Sequence, residues 1–413
     1  MNVYLAVILV ILLGEYILSL IVENLNVKAA SPVLPEEFSA AYDTEKYKKS
    51  QNYLKENTHF KLAKETFFTA IILVFILVGG FDSVDRIARV FGLGPILTGL
   101  IFAGIILLAA QVLDIPFSIY HTFVLEEKYG FNRTRARTFV LDIIKGLSLT
   151  AIIGAPIFAA ILWFFARASF AWLWCWIAVS IFQLFLLFIA PTVILPLFNK
   201  FTPLEDGELK QAIQQYAASQ SFKIKGIFKM DASRRSSKSN AFFMGFGKYR
   251  RIALFDTLIE KHSVEEVVSI LAHEIGHYKN HHFLKNVTRS ILTTGVMFFI
   301  LSLFINNPGL FAAFKMEQVS IYASLFFFGF LYAPISMLFS ILGSFLSRRY
   351  EYQADAYAVS TYRRPEAFVA ALKKLTVANL SNLTPHPLKV FLDYSHPPVL
   401  KRIGAIREKT VRS

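Results

Sequence analysis

The chain has 413 residues, 55% of them hydrophobic and 17% charged, with a formal net charge of +14 and one cysteine. Its apolar residues are gathered into long runs, which excludes an ordinary soluble multidomain protein and predicts a polytopic membrane protein. The lone Cys175, inside an apolar run, excludes an intrachain disulfide and any cysteine-based metal centre, so a metal must be held by His, Asp or Glu. The surplus of Lys and Arg reads as cytoplasmic loop charge rather than as a nucleic-acid footprint, and no nucleic-acid partner is expected.

Seven stretches are candidate spans, near 3–22, 66–83, 97–118, 147–165, 171–197, 291–306 and 320–343. Crossing the hydrocarbon core takes roughly 20 apolar residues. The second stretch carries Gly79, Gly80 and Asp82 near its end, and the sixth is short, bounded by Arg289 and Asn306-Asn307-Pro308. No Lys or Arg precedes the first, so it does not read as a signal peptide. If all seven cross, the segments 23–65, 119–146, 198–290 and 344–413 share one side and hold 39 of the 43 Lys and Arg. The bias predicts an extracytoplasmic amino terminus and a cytoplasmic carboxyl terminus. The chain then divides into spans one to five (1–197), a cytoplasmic segment (198–290), a hairpin of two spans (291–343) and a second cytoplasmic segment (344–413).

His273-Glu274-Ile275-Gly276-His277 fits H-E-x-x-H. Ser263-Val264-Glu265-Glu266 fits a capping box that starts a helix ahead of it. Val264, Val267, Val268, Leu271, Ile275 and Tyr278 form an apolar stripe at helical spacing, which leaves His273 and His277 on the other face. Four residues apart, their rings can converge on one ion. Zinc suits two imidazoles and a carboxylate, with a fourth position left for water. Glu274 can reach that water without ligating the metal, and would take its proton as it attacks a carbonyl carbon.

A third ligand is available in Glu351, within Arg348-Arg349-Tyr350-Glu351-Tyr352-Gln353-Ala354-Asp355. Glu351 and Asp355 would share a helix face. Glu351 can complete a tetrahedral site, and Asp355 can accept the free ring N–H of a ligating histidine. By spacing alone, an ordinary surface pair between Glu351 and Arg348 accounts for the same residues.

His273 to His277, with Glu351-x-x-Ala354-Asp355 and Ser395-His396-Pro397-Pro398, resembles the integral-membrane zinc CAAX prenyl proteases of type 1. The resemblance extends through Glu126 to Asn132, through Pro191 to Lys210 and through Asp231 to Gly247, and so covers nearly the whole chain. It implies an all-α polytopic fold with seven transmembrane helices around a water-filled chamber, and a cytoplasmic zinc-protease domain with a small β element. It implies one Zn2+ per chain on His273, His277 and Glu351, with Glu274 as base. It further implies proteolysis near a substrate's carboxyl terminus, on CAAX-type prenylated peptides or a bacterial equivalent. Asp355 is similar to an aspartate sometimes given a proton-donor role in that family, although an orienting role suits its chemistry better. His396 is similar to a histidine that holds the substrate carbonyl or the developing oxyanion. Arg402, six residues on, is a candidate partner for a substrate carboxylate or for Glu351.

Lys238 to Met244 and Ile252 to Phe255 read as short strands. The first offers Asn240, Ala241 and Phe242 to an extended peptide through main-chain hydrogen bonds, although an internal hairpin without a ligand has the same pattern. The cluster Arg234, Arg235 and Lys238 reads as a solvated loop or a lipid-headgroup contact. The chain ends Thr410-Val411-Arg412-Ser413 without an evident retrieval signal, and the extracytoplasmic loops are short. That is compatible with a bacterial plasma membrane, the endoplasmic reticulum being the alternative. In bacteria the substrate need not be prenylated, and a quality-control protease of broad specificity would fit. A seven-span receptor or transporter would explain the spans but not a metal motif between them matched by a distant carboxylate.

Overall fold

The structure is a computed structural model that describes residues 2–244 and 251–412. Gly245 to Gly247, the end of one stretch of family resemblance, lie outside the described residues. The first helix, α1 (Val3–Ala29), is started by Asn2, whose side-chain oxygen accepts from the amides of Tyr4 and Leu5. α2 (Thr44–Leu77) is polar in its first half and apolar only in its second. At Gly79, with φ of +77°, the chain bends by 68° into α3 (Gly80–Arg89). On α3, Asp82 and Asp85 accept from Arg86, Arg89 and the Tyr322 hydroxyl. The stretch 66–83 is therefore apolar to Leu77 and then breaks into a polar cross-piece.

Three long helical stretches follow: α4 (Pro95–Tyr120), α5 (Ala136–Leu149) continued by α6 (Ala155–Arg167), and α7 (Ala171–Ile189) continued by α8 (Leu195–Phe198). Wide π turns at His121–Glu126, Thr150–Gly154 and Ala190–Ile194 extend or join them. Pro156 and Pro191 account for two of these, because a proline ring cannot donate and crowds the carbonyl one turn earlier.

A small α/β lobe comes next: β1 (Phe201–Pro203), α9 (Glu208–Ser219), β2 (Gly226–Met230), β3 (Ala241–Met244), β4 (Arg251–Phe255), α10 (Asp256–Lys261) and α11 (Val264–Lys279). The strands form one sheet in the order β1-β2-β4-β3; β2 and β4 run parallel and the outer pairs antiparallel. The two strands read from the sequence are β3 and β4, whereas β1, β2 and α9 carried no comparable signal. β3 lies at the sheet edge and packs on α11. The chain then runs through α12 (His282–Ser302), the short α13 (Pro308–Ala313), the 42-residue α14 (Ile321–Tyr362), α15 (Pro365–Ala378), α16 (Pro387–Asp393) and α17 (Val399–Arg412).

Among the described residues, five helical stretches are long and apolar enough to cross a membrane: Val3–Ala29, Pro95–Glu126, Ala136–Arg167, Ala171–Phe198 and Ile321–Tyr362. A sixth is added if the bent α2–α3 pair counts as one span. The chain is a mostly helical polytopic membrane protein. The expected span at 291–306 does not qualify by length and composition, because the first turns of α12 carry His282, Lys285, Asn286 and Arg289.

Two apolar cores hold the ends apart. In the α/β lobe, Ile213, Ile252, Leu254, Leu258 and Ile275 are fully buried between the sheet and α9, α11, α15 and α17. At the far end, α1, α3, α4, α13 and α14 share a phenylalanine core in which Phe314 stacks on Phe327 at 3.7 Å. α14 reaches both and is the strut between them.

α11 and α14 meet where Gly276 faces Ala354. A Cβ on Gly276 would lie 3.0 Å from both the Cα and the carbonyl oxygen of Ala354. Overpacking of this kind costs about 1–3 kcal/mol. Gly276→Ala should therefore lower the thermal midpoint of the detergent-solubilised protein by several degrees, because the added methyl pushes α11 away from α14. A variant with the parent's midpoint would contradict this packing.

Candidate active site

The capping box expected at the start of α11 is present: the Ser263 side chain accepts from the Glu266 amide, and the Glu266 carboxylate accepts from the Ser263 amide. The expected division into an apolar and a polar face is not. Ser269, Ile270, Ala272 and His273 are buried along with the apolar stripe, while Tyr278 at its end is 40% exposed. The reason is α14, which lies on the face the histidines occupy and turns it into interior.

His273 and His277 project one turn apart, with their Nε2 atoms 3.1 Å from each other. From α14, Glu351 reaches in between, with Oε2 3.4 Å from His273 Nε2 and Oε1 3.2 Å from His277 Nε2. One ligand atom from each of the three lies within 4.8 Å of the others, the arrangement a single ion requires. Two details favour a metal over a hydrogen-bonded cluster. Two imidazole nitrogens aim at one another, and Glu351 Oε2 is buried without a hydrogen-bond partner. The surface pair between Glu351 and Arg348 is not formed. Glu351 is 3% exposed, and Arg348 instead donates to the carbonyls of Val390 and Tyr394 at 2.9 and 2.6 Å.

Asp355, one turn beyond Glu351, lies 2.7 Å from His273 Nδ1. Arg402 of α17 is buried and forks onto Asp355, its Nε at 2.9 Å and its Nη2 at 2.6 Å, with Nη1 3.3 Å from Glu351. Its guanidinium is thus taken up by these two carboxylates. Burial works to lower the His273 pKa, but Asp355 and Glu351 outweigh it and hold it at about 9. Burial pushes the Glu274 carboxyl up from its ordinary value, against the pull of His273 and His277. A carboxylate raised in this way is a better proton acceptor near neutrality.

His396 sits in the turn between α16 and α17. Its Nε2 is 3.3 Å from Glu351 Oε1, and its Nδ1 is 2.9 Å from the Ser395 hydroxyl. It lines a cavity of about 570 Å³ that runs from α2 to the start of α17. Asn240 is exposed, Ala241 is partly buried, and Phe242 pairs with Ala253 in the strand register.

The cluster Arg234, Arg235 and Lys238 corrects the sequence reading, because two of its three members are tied down. Arg235 forks onto Asp142 at 2.8 and 3.0 Å, and Lys238 lies 3.0 Å from Glu126, which also accepts from Tyr53. These pairs fasten the approach to β3 onto the membrane helices. Sequence reasoning also missed His282, whose Nδ1 lies 3.0 Å from His277 Nδ1. Its position five residues after the motif, beyond a turn, belongs to no single helical face.

Known proteins match the chain along nearly its whole length. Residues 23–200 match the model of the CAAX prenyl protease N-terminal region with five membrane helices, and residues 203–410 match Peptidase family M48. A CAAX prenyl protease 1 homolog of Oryza sativa is 36% identical over 91% of this chain and 91% of its own length. CAAX prenyl protease 1 of Saccharomyces cerevisiae is 34% identical over 93% and 90%. This chain belongs to the CAAX prenyl protease 1 family. The human homolog is 32% identical over 91% of this chain and 88% of its own length. The crystal structure of S. mikatae Ste24p covers 98% of this chain and 99% of its own, at 31% identity and a TM-score of 0.93. This member of the family is an integral-membrane zinc metalloprotease, and a receptor or transporter reading is set aside.

Removing Arg402 would strand Asp355 and Glu351 in the interior. Breaking a buried charge cluster from one side costs about 3–5 kcal/mol. Arg402→Met should therefore destabilise the metal-free protein by that order in thermal or denaturant unfolding. A loss below about 1 kcal/mol, the range of an exposed ion pair, would show that the cluster does not carry this weight.

Proposed function

We propose that this family member hydrolyses peptide bonds near the carboxyl terminus of prenylated, CAAX-type substrates, with one zinc ion held by His273, His277 and Glu351. The observation that carries the reading is the convergence of two imidazoles and a buried carboxylate, one oxygen of which makes no hydrogen bond, beside Glu274, a carboxyl whose pKa burial has raised. Bound there, zinc supplies the Lewis acidity that makes water a nucleophile at neutral pH. Glu274 takes the proton as the water oxygen attacks the scissile carbonyl carbon, and returns it to the leaving amine. Asp355 holds the His273 ring by accepting its Nδ1–H, and Arg402 holds Asp355. His396 donates to the carbonyl oxygen as negative charge develops on it. β3, at the sheet edge among the described residues, takes the peptide as an added strand along Asn240, Ala241 and Phe242.

The membrane arrangement belongs to the same proposal: seven spans, with α12 as the seventh. α11 and the end of α14 meet at the metal site, yet α14 begins at the opposite end of the molecule. α12 must carry the chain there, and its 21 residues cover about 30 Å, the thickness of a hydrocarbon core. Its packing supports this, since Trp176 donates to the Ile291 carbonyl and Gln183 to Thr294, which places α12 along α7. The same reading includes a water-filled chamber among the spans, because a polar peptide backbone at that depth must pair with water or protein. The distribution of Lys and Arg favours a cytoplasmic site, with segments 198–290 and 344–413 on that side. The relatives named above are eukaryotic, which favours the endoplasmic reticulum membrane over a bacterial plasma membrane. The partners are then the bilayer and a lipid-modified peptide, whose lipid tail lodges among the spans while its backbone reaches the zinc.

Glu274→Gln tests the reaction. The amide fills the same space but cannot accept a proton, so zinc content should be retained while cleavage of a farnesylated CAAX peptide falls by at least about 10²–10⁴-fold. Cleavage at the parental rate would contradict the assignment of the base, and cleavage of large folded soluble proteins would contradict the enclosed chamber.

A further inference from the structure

We propose that His282 and Gln353 form a relay that fixes the tautomer and orientation of His277, as Asp355 does for His273. The inference rests on His277 being a zinc ligand. Its starting point is which nitrogen faces the site: His277 Nε2 lies 3.1 Å from His273 Nε2 and 3.2 Å from Glu351 Oε1. To offer a lone pair there, the neutral ring must carry its proton on Nδ1. The group facing Nδ1 at 3.0 Å is His282 Nδ1. It must therefore accept, which places the His282 proton on Nε2. That nitrogen lies 2.8 Å from Gln353 Oε1, an oxygen that can only accept. The chain of hydrogen bonds closes in one direction only, from His277 to His282 to Gln353. Reversing the Gln353 amide would reverse both bonds and leave the site-facing nitrogen of His277 protonated.

The fold is built to hold this relay. α11 ends at Lys279, and His281 adopts a left-handed backbone with φ of +56°, an uncommon conformation for a residue other than glycine. The tight reversal sets His282 at the first position of α12, back against the ring one turn inside α11. His282 is 2% exposed and stacks on Tyr350 at 4.3 Å with the rings 13° apart. Tyr350 and Gln353 flank Glu351 on α14, so a single turn of that helix supplies the third ligand, the stacking partner and the end of the relay. In a ring stacked on Tyr350 and held at both nitrogens, the Gln353 oxygen decides where the proton sits.

The test compares Gln353→Met, which removes the acceptor, with Gln353→Glu, which keeps one. The dissociation constant for zinc is measured by competition with a chelating indicator on the purified, metal-stripped full-length protein. Loss of an orienting partner of this kind typically costs 10–100-fold in metal affinity. Gln353→Met should weaken zinc binding by that factor, and Gln353→Glu should bind within about threefold of the parent. His282→Phe, which preserves the stack on Tyr350, should match Gln353→Met. His277→Ala separates this inference from the ligand assignment on which it rests, since it should lose zinc altogether. Parental affinity in Gln353→Met, or equal weakening in Gln353→Met and Gln353→Glu, would overturn the relay while leaving the ligands in place. Full zinc retention by His277→Ala would overturn the ligand assignment and the relay with it.

Discussion

Everything at the active site depends on two carboxylates of α14 being buried against the histidine helix. Glu351 and Asp355 are each 3% exposed. A buried charge left alone is costly enough to unfold a small lobe, so the surroundings must answer it. Arg402 answers Asp355 with a two-pronged contact and approaches Glu351; His273 and His277 answer the rest. The cost is lowered further when a divalent cation takes the place where two imidazole nitrogens converge with a carboxylate oxygen that makes no hydrogen bond. Metal binding and folding of the lobe are on this account coupled.

That requirement explains features that would otherwise be unrelated. Gly276 stands between the motif histidines because the α14 backbone passes at the distance of a missing Cβ. α17 returns to the site because its arginine is needed there. Arg348 draws the carbonyls at the end of α16 toward α14 and so brings the loop bearing His396 over Glu351. On the membrane side, the ion pairs of Arg235 with Asp142 and of Lys238 with Glu126 bind the approach to β3 to the spans, so that lobe and bundle are joined.

Much of this was legible in the sequence wherever a local pattern was sufficient. The capping box at Ser263 and Glu266, the four-residue histidine spacing and the apolar runs of α1, α4 and α7 each follow from contacts within one helix. Glu351 was ambiguous because spacing alone paired it with Arg348; only the tertiary fold decides that Arg348 turns to α16. The burial of the histidine face of α11 was invisible because it is imposed by a helix some seventy residues away. His282 was missed because a left-handed residue, His281, breaks the periodicity that would have linked it to His277. The break at Gly79 was signalled by its glycines, but the polar role of α3 depends on Tyr322, far along the chain.

The central claim is that α11 and α14 together make one zinc site. Anomalous diffraction from crystals of the purified protein, recorded on either side of the zinc absorption edge, tests it most directly. One strong peak per chain is expected, within coordination distance of His273, His277 and Glu351. A peak held by other residues, or well-ordered density for these three side chains with no zinc signal in active protein, would contradict it.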